Sequence, residues 1–187
     1  MTIRYREQLG ELLKSMNLPL VIAEIGVAEG LFAKQMMDWG AQTLYLVDRW
    51  ETDPTQRGDG GFAHEWHEDN LAQVQSRMEI YDNRPEKYVI LQGDSEEMAQ
   101  YISDNSLSMA YIDCDHSYEG VKGDIEAYYP KVVTGGIMAF HDFADNNEGN
   151  GYGVERAVRE FCALHNYTVI LIPENQPCDA GAYFIKQ

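Results

Sequence analysis

Short β-type segments alternate with amphipathic helical segments along almost the whole chain, and this alternation limits the fold more than any other feature. Seven segments read as nearly continuous apolar runs, which is typical of strands that are covered on both faces. They are Leu20–Ile25, Thr43–Val47, Tyr88–Leu91, Leu107–Ile112, Gly136–Phe140, Tyr167–Ile172 and Gly181–Ile185. Because strands that alternate with helices form parallel sheets, the pattern predicts a doubly wound α/β sheet.

Helical spacing of apolar residues occurs between most of these strands. The predicted helices are Leu31–Trp39, Gly61–Tyr81, Ser95–Ile102, Tyr118–Tyr129 and Gly153–His165. The last two strands have only Pro173–Ala180 between them, a loop too short for a helical crossover, so they should pair antiparallel. We therefore predict a Rossmann-like sheet of seven strands, mostly parallel with the last strand antiparallel.

The length of 187 residues suits one domain, which we assign to residues 1–187. A further helix, Tyr5–Met16, precedes the first strand. We expect this N-terminal helical segment, residues 1–18, to lie across the sheet or over a cleft as a lid. Two polar loops that follow strands, Asp48–Asp59 and Asp142–Gly151, are also candidate lids, since ligands of open α/β sheets bind at the carboxyl ends of the strands.

Acidic residues dominate the charge: 14 Lys and Arg stand against 31 Asp and Glu, a net charge of −17. Such a surface repels polyanions, so nucleic acid and anionic membranes are not expected partners. The three cysteines form no CxxC pair, and no apolar run has the length of a signal peptide core or a membrane span. We expect a cytoplasmic protein with a small-molecule partner, and leave homo-oligomerisation open.

The loop after the first strand reads Glu24-Ile-Gly26-Val-Ala28-Glu29-Gly30. Glycines there would let a ligand approach the backbone, but the loop departs from the dinucleotide pattern G-x-G-x-x-G because Ala28 replaces a glycine. Glu29 would compete with a phosphate for the amides at the start of the next helix. The loop therefore favours a nucleoside without phosphates, although a plain strand–helix turn would look similar.

Acidic residues follow the second and third strands as well. Asp48 ends the second strand, where a carboxylate typically binds ribose hydroxyls. Asp94 and Ser95 follow the third strand, and either could contact an adenine base or cap the next helix.

These residues resemble the motifs of the class I S-adenosylmethionine-dependent methyltransferases. Glu24, Gly26 and Gly30 match the family's first motif, Asp48 its ribose-binding acid, and Asp94 its adenine-contacting acid. The resemblance runs from about Leu20 to the C-terminus and implies S-adenosylmethionine as cofactor. Ala28 departs from a glycine that is common in the family.

A second cluster ends the fourth and fifth strands. Asp113-Cys-Asp115-His116 closes the fourth strand and His141-Asp142 closes the fifth. Neighbouring parallel strands end at one edge, so Asp113, Asp115, His141 and Asp142 should converge there. Carboxylates this close need a compensating cation, and oxygen ligands with one imidazole suit Mg²⁺ or Mn²⁺. The alternative is a solvated acidic rim without a metal.

The stretch Asp113–Tyr118, with its Asp-His-Ser-Tyr sequence, resembles the macrocin-type branch of metal-dependent O-methyltransferases. The resemblance implies that Asp113, His141 and Asp142 bind the metal, with Asp113 also near the cofactor, and that Asp115 is the general base. His141 replaces the usual carboxylate of that branch, which leaves His141 as a rival base.

Other motifs carry less weight. Asp113-x-Asp115 also occurs in haloacid dehalogenase-type phosphatases, but on their first strand, and in glycosyltransferases, whose nucleotide diphosphates the first loop disfavours. His64 and His67 have a spacing one residue short of the zincin motif. Aromatic residues that could pack against an acceptor are Trp50, Phe62, Trp66 and Phe143.

The sequence thus predicts a metal-assisted O-methyltransferase that acts on a sugar-like or other small hydroxyl acceptor. A module that binds the nucleoside cofactor without turnover, and another nucleotide- or metal-dependent α/β enzyme, remain alternatives.

Overall fold

The computed structural model describes residues 1–51, 64–84, 87–145, 151–174 and 180–187, with only the helical backbone for residues 64–66. The strands are β1 Val21–Ile25, β2 Thr43–Asp48, β3 Lys87–Gln92, β4 Leu107–Ile112, β5 Val132–Phe140, β6 Ile170–Ile172 and β7 Gly181–Ile185. The helices are α1 Leu9–Ser15, α2 Leu31–Asp38, α3 His64–Met78, α4 Ser95–Met98, α5 Tyr118–Tyr128 and α6 Val154–His165.

The strands form one seven-stranded sheet in the order β3-β2-β1-β4-β5-β7-β6. Strands β1 to β5 pair in parallel, and β7 pairs antiparallel with both β5 and β6. The predicted fold class is therefore confirmed, including the antiparallel last strand. The chain moves from β1 toward one edge and from β4 toward the other, so the strand order reverses between β1 and β4, where ligands of open α/β sheets bind.

Helices cover both faces of the sheet. Successive strand residues point to opposite faces, so Ile22 joins the apolar core on one side of β1 and Ala23 the core on the other. Apolar residues of α1, α2 and α3 fill the first core, and those of α5 and α6 fill the second. Every residue of β4 is buried, as expected for the central strand of a sheet that is covered on both faces.

Several predicted elements differ in extent. The fifth strand begins at Val132 rather than Gly136. The sixth strand begins at Ile170 rather than Tyr167, because the Tyr167 N–H donates to the carbonyl of Cys162 at 2.8 Å, at the end of α6, and so does not pair with a strand. The leading helix consists of a 3₁₀ turn, Arg6–Gln8, followed by α1.

Helix α1 is anchored in the core. Leu9 and Leu13 are fully buried, so this helix contributes to the stability of the domain. Residues 52–59 and 146–150 of the two candidate lid loops lie outside the described residues, as does Phe62. Among the described residues, no helix is long and apolar enough to cross a membrane.

Candidate active site

A cavity of about 450 Å³ opens at the carboxyl ends of the central strands. Nearly all of the predicted site residues line it: Glu24, Gly26, Asp48, Asp94, Ser95, Asp113, Asp115, His141 and Asp142. Gly30 is the exception. It precedes α2 with a φ of +78°, and a β-carbon there would lie 2.9 Å from Val74, so this glycine is required by the turn and by helix packing.

Gly26 is required by the protein's own backbone. Its φ is +87°, and a β-carbon at this position would overlap the backbone carbonyl of Asp113 at the end of β4. The sequence interpretation gave this glycine a role only in the approach of a ligand. The structure shows that it also lets the first loop pack against the strand that carries the predicted metal ligand.

Asp48 organises the first loop. Its Oδ2 atom accepts hydrogen bonds from the backbone N–H groups of Val27, at 2.8 Å, and Ala28, at 3.0 Å. Its Oδ1 atom accepts one from Trp50 N at 2.9 Å, and the Trp50 indole donates to the carbonyl of Ala28 at 2.8 Å. These bonds hold Ala28 at a φ of +48°, a conformation that favours glycine. A carboxylate has about four acceptor positions, and three are used here, so Asp48 retains about one for a ribose hydroxyl.

Asp94 caps α4 and also forms an ion pair. Its Oδ1 atom accepts hydrogen bonds from the N–H groups of Glu96, at 3.1 Å, and Glu97, at 3.4 Å. Its Oδ2 atom lies 2.7 Å from Arg49 Nη2. Burial would raise the pKa of Asp94, but the bond from Arg49 and the two amides lower it overall. The capping role is therefore present, and contact with adenine stays a prediction.

The predicted metal ligands come together. One ligand atom each from Asp113, His141 and Asp142 lies within 4.8 Å of the other two. His141 Nδ1 is 3.4 Å from Asp113 Oδ1 and 3.4 Å from Asp142 Oδ2. Asp142 adopts a φ of +46°, an uncommon conformation that Asp tolerates better than most residues and that is often found at functional sites.

His116 belongs to the same cluster, and the sequence interpretation gave it no role. Its Nε2 atom lies 3.1 Å from Asp142 Oδ2 and 3.4 Å from Asp113 Oδ1. Its ring stacks on Tyr152, with centroids 5.0 Å apart. His116 is part of the Asp-His-Ser-Tyr sequence, so its residue type could have drawn attention to it. Its position three residues after Asp113 did not, however, indicate that its side chain reaches Asp142 after β5.

The carboxylates and imidazoles of this cluster stabilise one another's charged forms. Burial alone would lower the pKa of His141, but Asp113 and Asp142 raise it to about 10. For the same reason the pKa of His116 is raised, with Asp113 contributing more than Asp142. Burial would raise the pKa of Asp113, but hydrogen bonds to His116 and His141 hold it well below its usual value. The arrangement therefore favours positive charge between the two carboxylates.

Asp115 lies beside the cluster and faces α5. Its Oδ1 atom accepts a hydrogen bond from Ser117 N at 2.9 Å, and its Oδ2 atom accepts one from Ser117 Oγ at 3.0 Å. Ser117 in turn caps α5 through a bond from Gly120 N at 3.1 Å. Asp115 thus orients the turn that carries His116, in addition to its predicted role as general base.

Glu24 is a buried carboxyl group at the base of the cavity. The residue is 3% exposed, and its Oε2 atom has no hydrogen-bond partner among the described residues. Burial first, and then the neighbouring Asp113 and Asp48, raise its pKa well above the usual value, while Arg6 opposes the shift. A cationic group of a ligand would satisfy the unpaired oxygen.

The remaining predictions have mixed outcomes. Trp50 lines the cavity, whereas Phe143 is 7% exposed and packs in the core. The side chains of His64 and Trp66 lie outside the described residues. Sequence reasoning also missed Arg6, Arg49 and Asp124, which line the cavity without belonging to a recognisable motif.

Comparison with known proteins identifies the family. A family model described as a methyltransferase domain matches residues 23–143, well over half of the chain. No curated protein sequence matches.

Solved structures with the same fold include several methyltransferases, all of low sequence identity. The calicheamicin methyltransferase CalS11 has a TM-score of 0.69 and 20% identity over 97% of this chain and 80% of that chain. The O-methyltransferase NovP has a TM-score of 0.66 and 21% identity, covering 97% and 77% of the two chains. An O-methyltransferase from Bacillus cereus, in complex with SAH, has a TM-score of 0.68 and 13% identity, covering 96% and 80%.

These neighbours support the fold, and the family match supports the activity. The matched region contains the first loop, Asp48 at the end of β2, and the cluster of Asp113, His141 and Asp142. Because the family model covers well over half of the chain, the chain belongs to the methyltransferase-domain family and is a class I S-adenosylmethionine-dependent methyltransferase.

Proposed function

We propose that this enzyme transfers the methyl group of S-adenosylmethionine to a hydroxyl group of a small molecule, and that a divalent cation assists the reaction. The observation that carries this proposal is the convergence of Asp113, His141 and Asp142 in the cavity that the first loop also lines. Placing a nucleoside loop and a metal-type donor set in one cavity brings a bound methyl donor close to a bound hydroxyl.

The residues present fit the cofactor. The unpaired Oε2 of Glu24 is an acceptor for the ammonium group of S-adenosylmethionine, and Asp48 has about one acceptor position left for a ribose hydroxyl. Asp94 and Ser95 line the cavity on the α4 side, which would accommodate the base. S-adenosylmethionine has no phosphate group, so the carboxylate of Glu29 near the start of α2 does not stand in its way.

The donor set also fits a divalent ion. Two carboxylate oxygens and an imidazole nitrogen lie close together, and an imidazole makes the site softer than an all-oxygen magnesium site. We propose Mg²⁺ or Mn²⁺ and expect Mn²⁺ to bind more tightly, since the imidazole of His141 is a softer ligand than a carboxylate. Asp113, His141 and Asp142 would hold the ion.

S-adenosylmethionine supplies an activated methyl group, and a divalent ion lowers the pKa of a hydroxyl that binds to it. The chain must then orient the acceptor and remove its proton. Asp115 remains the predicted base. His141, its rival, must first lose the proton that Asp113 and Asp142 stabilise, since they raise its pKa to about 10. His116 is a third candidate, because its imidazole faces the same two carboxylates.

The acceptor is proposed to be a neutral polyol or phenol, of which a sugar is one example. One of the similar structures is described as a TDP-rhamnose 3'-O-methyltransferase. In the present chain the net charge of −17 and the many carboxylates around the cavity disfavour an acceptor that carries a diphosphate.

Calorimetry and a turnover assay test the function together. S-adenosylhomocysteine should bind and NAD should not, and a library of hydroxyl compounds should then be screened with S-adenosylmethionine and Mn²⁺. Binding without methylation of any compound would favour a module that binds the cofactor without turnover. Failure to bind S-adenosylhomocysteine would refute the assignment of the cofactor site.

A further inference from the structure

Two arginines line a cavity that is otherwise rich in carboxylates, and they are paired differently. Arg49 forms an ion pair with Asp94, with 2.7 Å between Nη2 and Oδ2. Short, charge-assisted hydrogen bonds of this kind are among the strong ones. Arg6 has a looser ionic neighbour, because its Nη1 atom is 4.0 Å from Asp113 Oδ2, beyond hydrogen-bond distance. A guanidinium has five N–H donors, so Arg6 retains donors for a ligand.

Arg6 is held in place both at its guanidinium group and at its backbone. Its guanidinium carbon lies 5.0 Å from the centroid of the Phe32 ring, a cation–π arrangement that fixes the charged group over α2. The backbone N–H of Arg6 donates to Glu174 Oε1 at 2.6 Å, and the Glu174 N–H donates to the carbonyl of Arg4 at 3.0 Å. These two bonds tie the N-terminal segment to Glu174, two residues after the end of β6.

Arg6 and Glu24 lie at the same end of the cavity. Arg6 Nη1 lies 4.0 Å from Asp113 Oδ2, and Glu24 is paired in the β1–β4 register with Tyr111, two residues before Asp113. The charge of Arg6 also opposes the rise that burial causes in the pKa of Glu24. One end of the cavity therefore presents a buried carboxyl oxygen without a partner and, close to it, a guanidinium that is one-third exposed (33%). An ammonium and a carboxylate on the same carbon atom of a ligand match this pair, as in an α-amino acid group.

We propose that Arg6 binds the carboxylate of the amino-acid end of the cofactor, opposite the ammonium group that Glu24 accepts. The N-terminal segment is then part of the cofactor site rather than a separate lid. This inference rests on the proposed function, since S-adenosylmethionine and S-adenosylhomocysteine are the ligands that carry this group.

A rival role for Arg6 is purely structural. It could hold the Asp113 side chain in position and never contact the cofactor, which its distance of 4.0 Å from Asp113 Oδ2 allows. The two roles differ in one respect. Loss of a structural contact weakens every ligand of the cavity in the same way, whereas loss of a carboxylate partner weakens only ligands that have a carboxylate.

Three ligands separate these roles by calorimetry: S-adenosylhomocysteine, its decarboxylated analogue with the amine retained, and 5'-methylthioadenosine, which lacks the whole amino-acid group. For the unaltered protein we expect S-adenosylhomocysteine to bind roughly 10- to 100-fold more tightly than the decarboxylated analogue, the range for a charge-assisted pair. Arg6→Gln should remove that preference and leave the affinity for 5'-methylthioadenosine within about twofold.

Two further variants control the experiment. Arg4→Gln removes an exposed charge from the same segment and should keep the full preference for the carboxylate. Arg6→Lys retains the charge but not the planar fork and should keep part of the preference, which preserves a test in case Arg6→Gln is unstable.

Each outcome has a distinct meaning. Equal loss of affinity for all three ligands in Arg6→Gln, or an unchanged preference for the carboxylate, would overturn the proposal and assign Arg6 the structural role or none. If the unaltered protein binds 5'-methylthioadenosine but shows no preference for S-adenosylhomocysteine, the inference about Arg6 fails while the nucleoside site stands. If it binds none of the three, the proposed function fails as well.

Discussion

The imidazole of His116 reaches across from the end of β4 to the carboxylate of Asp142 at the end of β5, with 3.1 Å between Nε2 and Oδ2. His141 contacts the same Asp142 oxygen at 3.4 Å, and both imidazoles also lie 3.4 Å from Asp113 Oδ1. Two imidazoles therefore share two carboxylate oxygens. This pairing keeps the carboxylates close together, which is a costly arrangement for two like charges on their own.

Metal binding is the first prediction. A divalent ion at about 100 times its dissociation constant should stabilise the folded state by about 2.7 kcal/mol, or roughly 5–10 °C in Tm for a domain of this size. Asp142→Asn should abolish most of this shift, because it removes one charged ligand. Differential scanning fluorimetry with Mn²⁺, Mg²⁺ and EDTA measures it. Asp69→Asn, the same charge change at an exposed position of α3, should keep the full shift. Equal shifts in both variants would indicate ion binding elsewhere.

The general base is the second prediction. Asp115→Asn preserves the side-chain oxygen that accepts the Ser117 amide but removes the base, so we expect turnover to fall by roughly 10²–10⁴-fold with little change in cofactor affinity. Single-turnover rates and calorimetry give the two quantities. His116→Gln tests the other candidate beside Asp142. Near-native turnover for Asp115→Asn, with a large drop for His116→Gln, would transfer the role of base to His116.

Stability at Gly26 is the third prediction. Gly26→Ala should destabilise the fold by at least about 3 kcal/mol, since the added methyl group overlaps the Asp113 backbone and the residue keeps a positive φ. Gly40 is a matched control, because its φ is +90° and a β-carbon there would meet nothing within 4 Å. Gly40→Ala should cost only about 1–2 kcal/mol, the strain of the left-handed conformation. Urea denaturation measures both, and equal losses would disprove the clash with β4.

The fourth prediction concerns pH. Burial is the main reason that the pKa of Asp124 is raised to about 7. A bond with Ser95 opposes this shift, and the nearby Glu96, Asp115 and Asp94 add to it. The unfolded value is about 3.9, so the folded protein binds the extra proton between pH 4 and 7, and stability contributed by Asp124 is lost as the pH rises through this window.

Asp124→Asn removes this dependence. The unaltered protein should lose stability relative to the variant as the pH rises. The free energy of unfolding of Asp124→Asn minus that of the unaltered protein should therefore increase by on the order of 2–3 kcal/mol between pH 5 and pH 8. Chemical denaturation at both pH values measures the difference. Asp69→Asn should show no such trend, and a parallel pH dependence for the unaltered protein and Asp124→Asn would contradict the assigned pKa.

The sheet was predictable because its signal is carried by many residues at once. Buried strands such as β4 are apolar along their whole length, and the short link between β6 and β7 requires an antiparallel pair. Topology then brings the strand ends together, so Asp113 and Asp142 could be placed at one edge before any distance was known. The boundary at Tyr167 was wrong because the Tyr167 N–H bonds to the carbonyl of Cys162 at the end of α6 rather than to a strand.

Other parts of the site could not be read from the sequence. Arg6 precedes the sheet in an unremarkable helical segment, and its position in the cavity follows from tertiary contacts with Phe32 and Asp113. Asp124 looks like a polar position on an amphipathic helix, yet it is 1% exposed. The second role of Asp48, as acceptor for the amides of its own loop, depends on backbone geometry that residue types do not report.

The packing of Gly26 against the Asp113 carbonyl joins the two regions that we propose bind the cofactor and the cation. The same junction is reinforced by the bond from the Asp113 N–H to the carbonyl of Ile25 at 2.7 Å. A displacement of the first loop would therefore move the backbone of Asp113, the proposed metal ligand, and the reverse also holds. If both ligands bind as proposed, their affinities are expected to be coupled, and any such coupling is reciprocal: the factor by which one ligand changes the other's dissociation constant applies equally in the opposite direction.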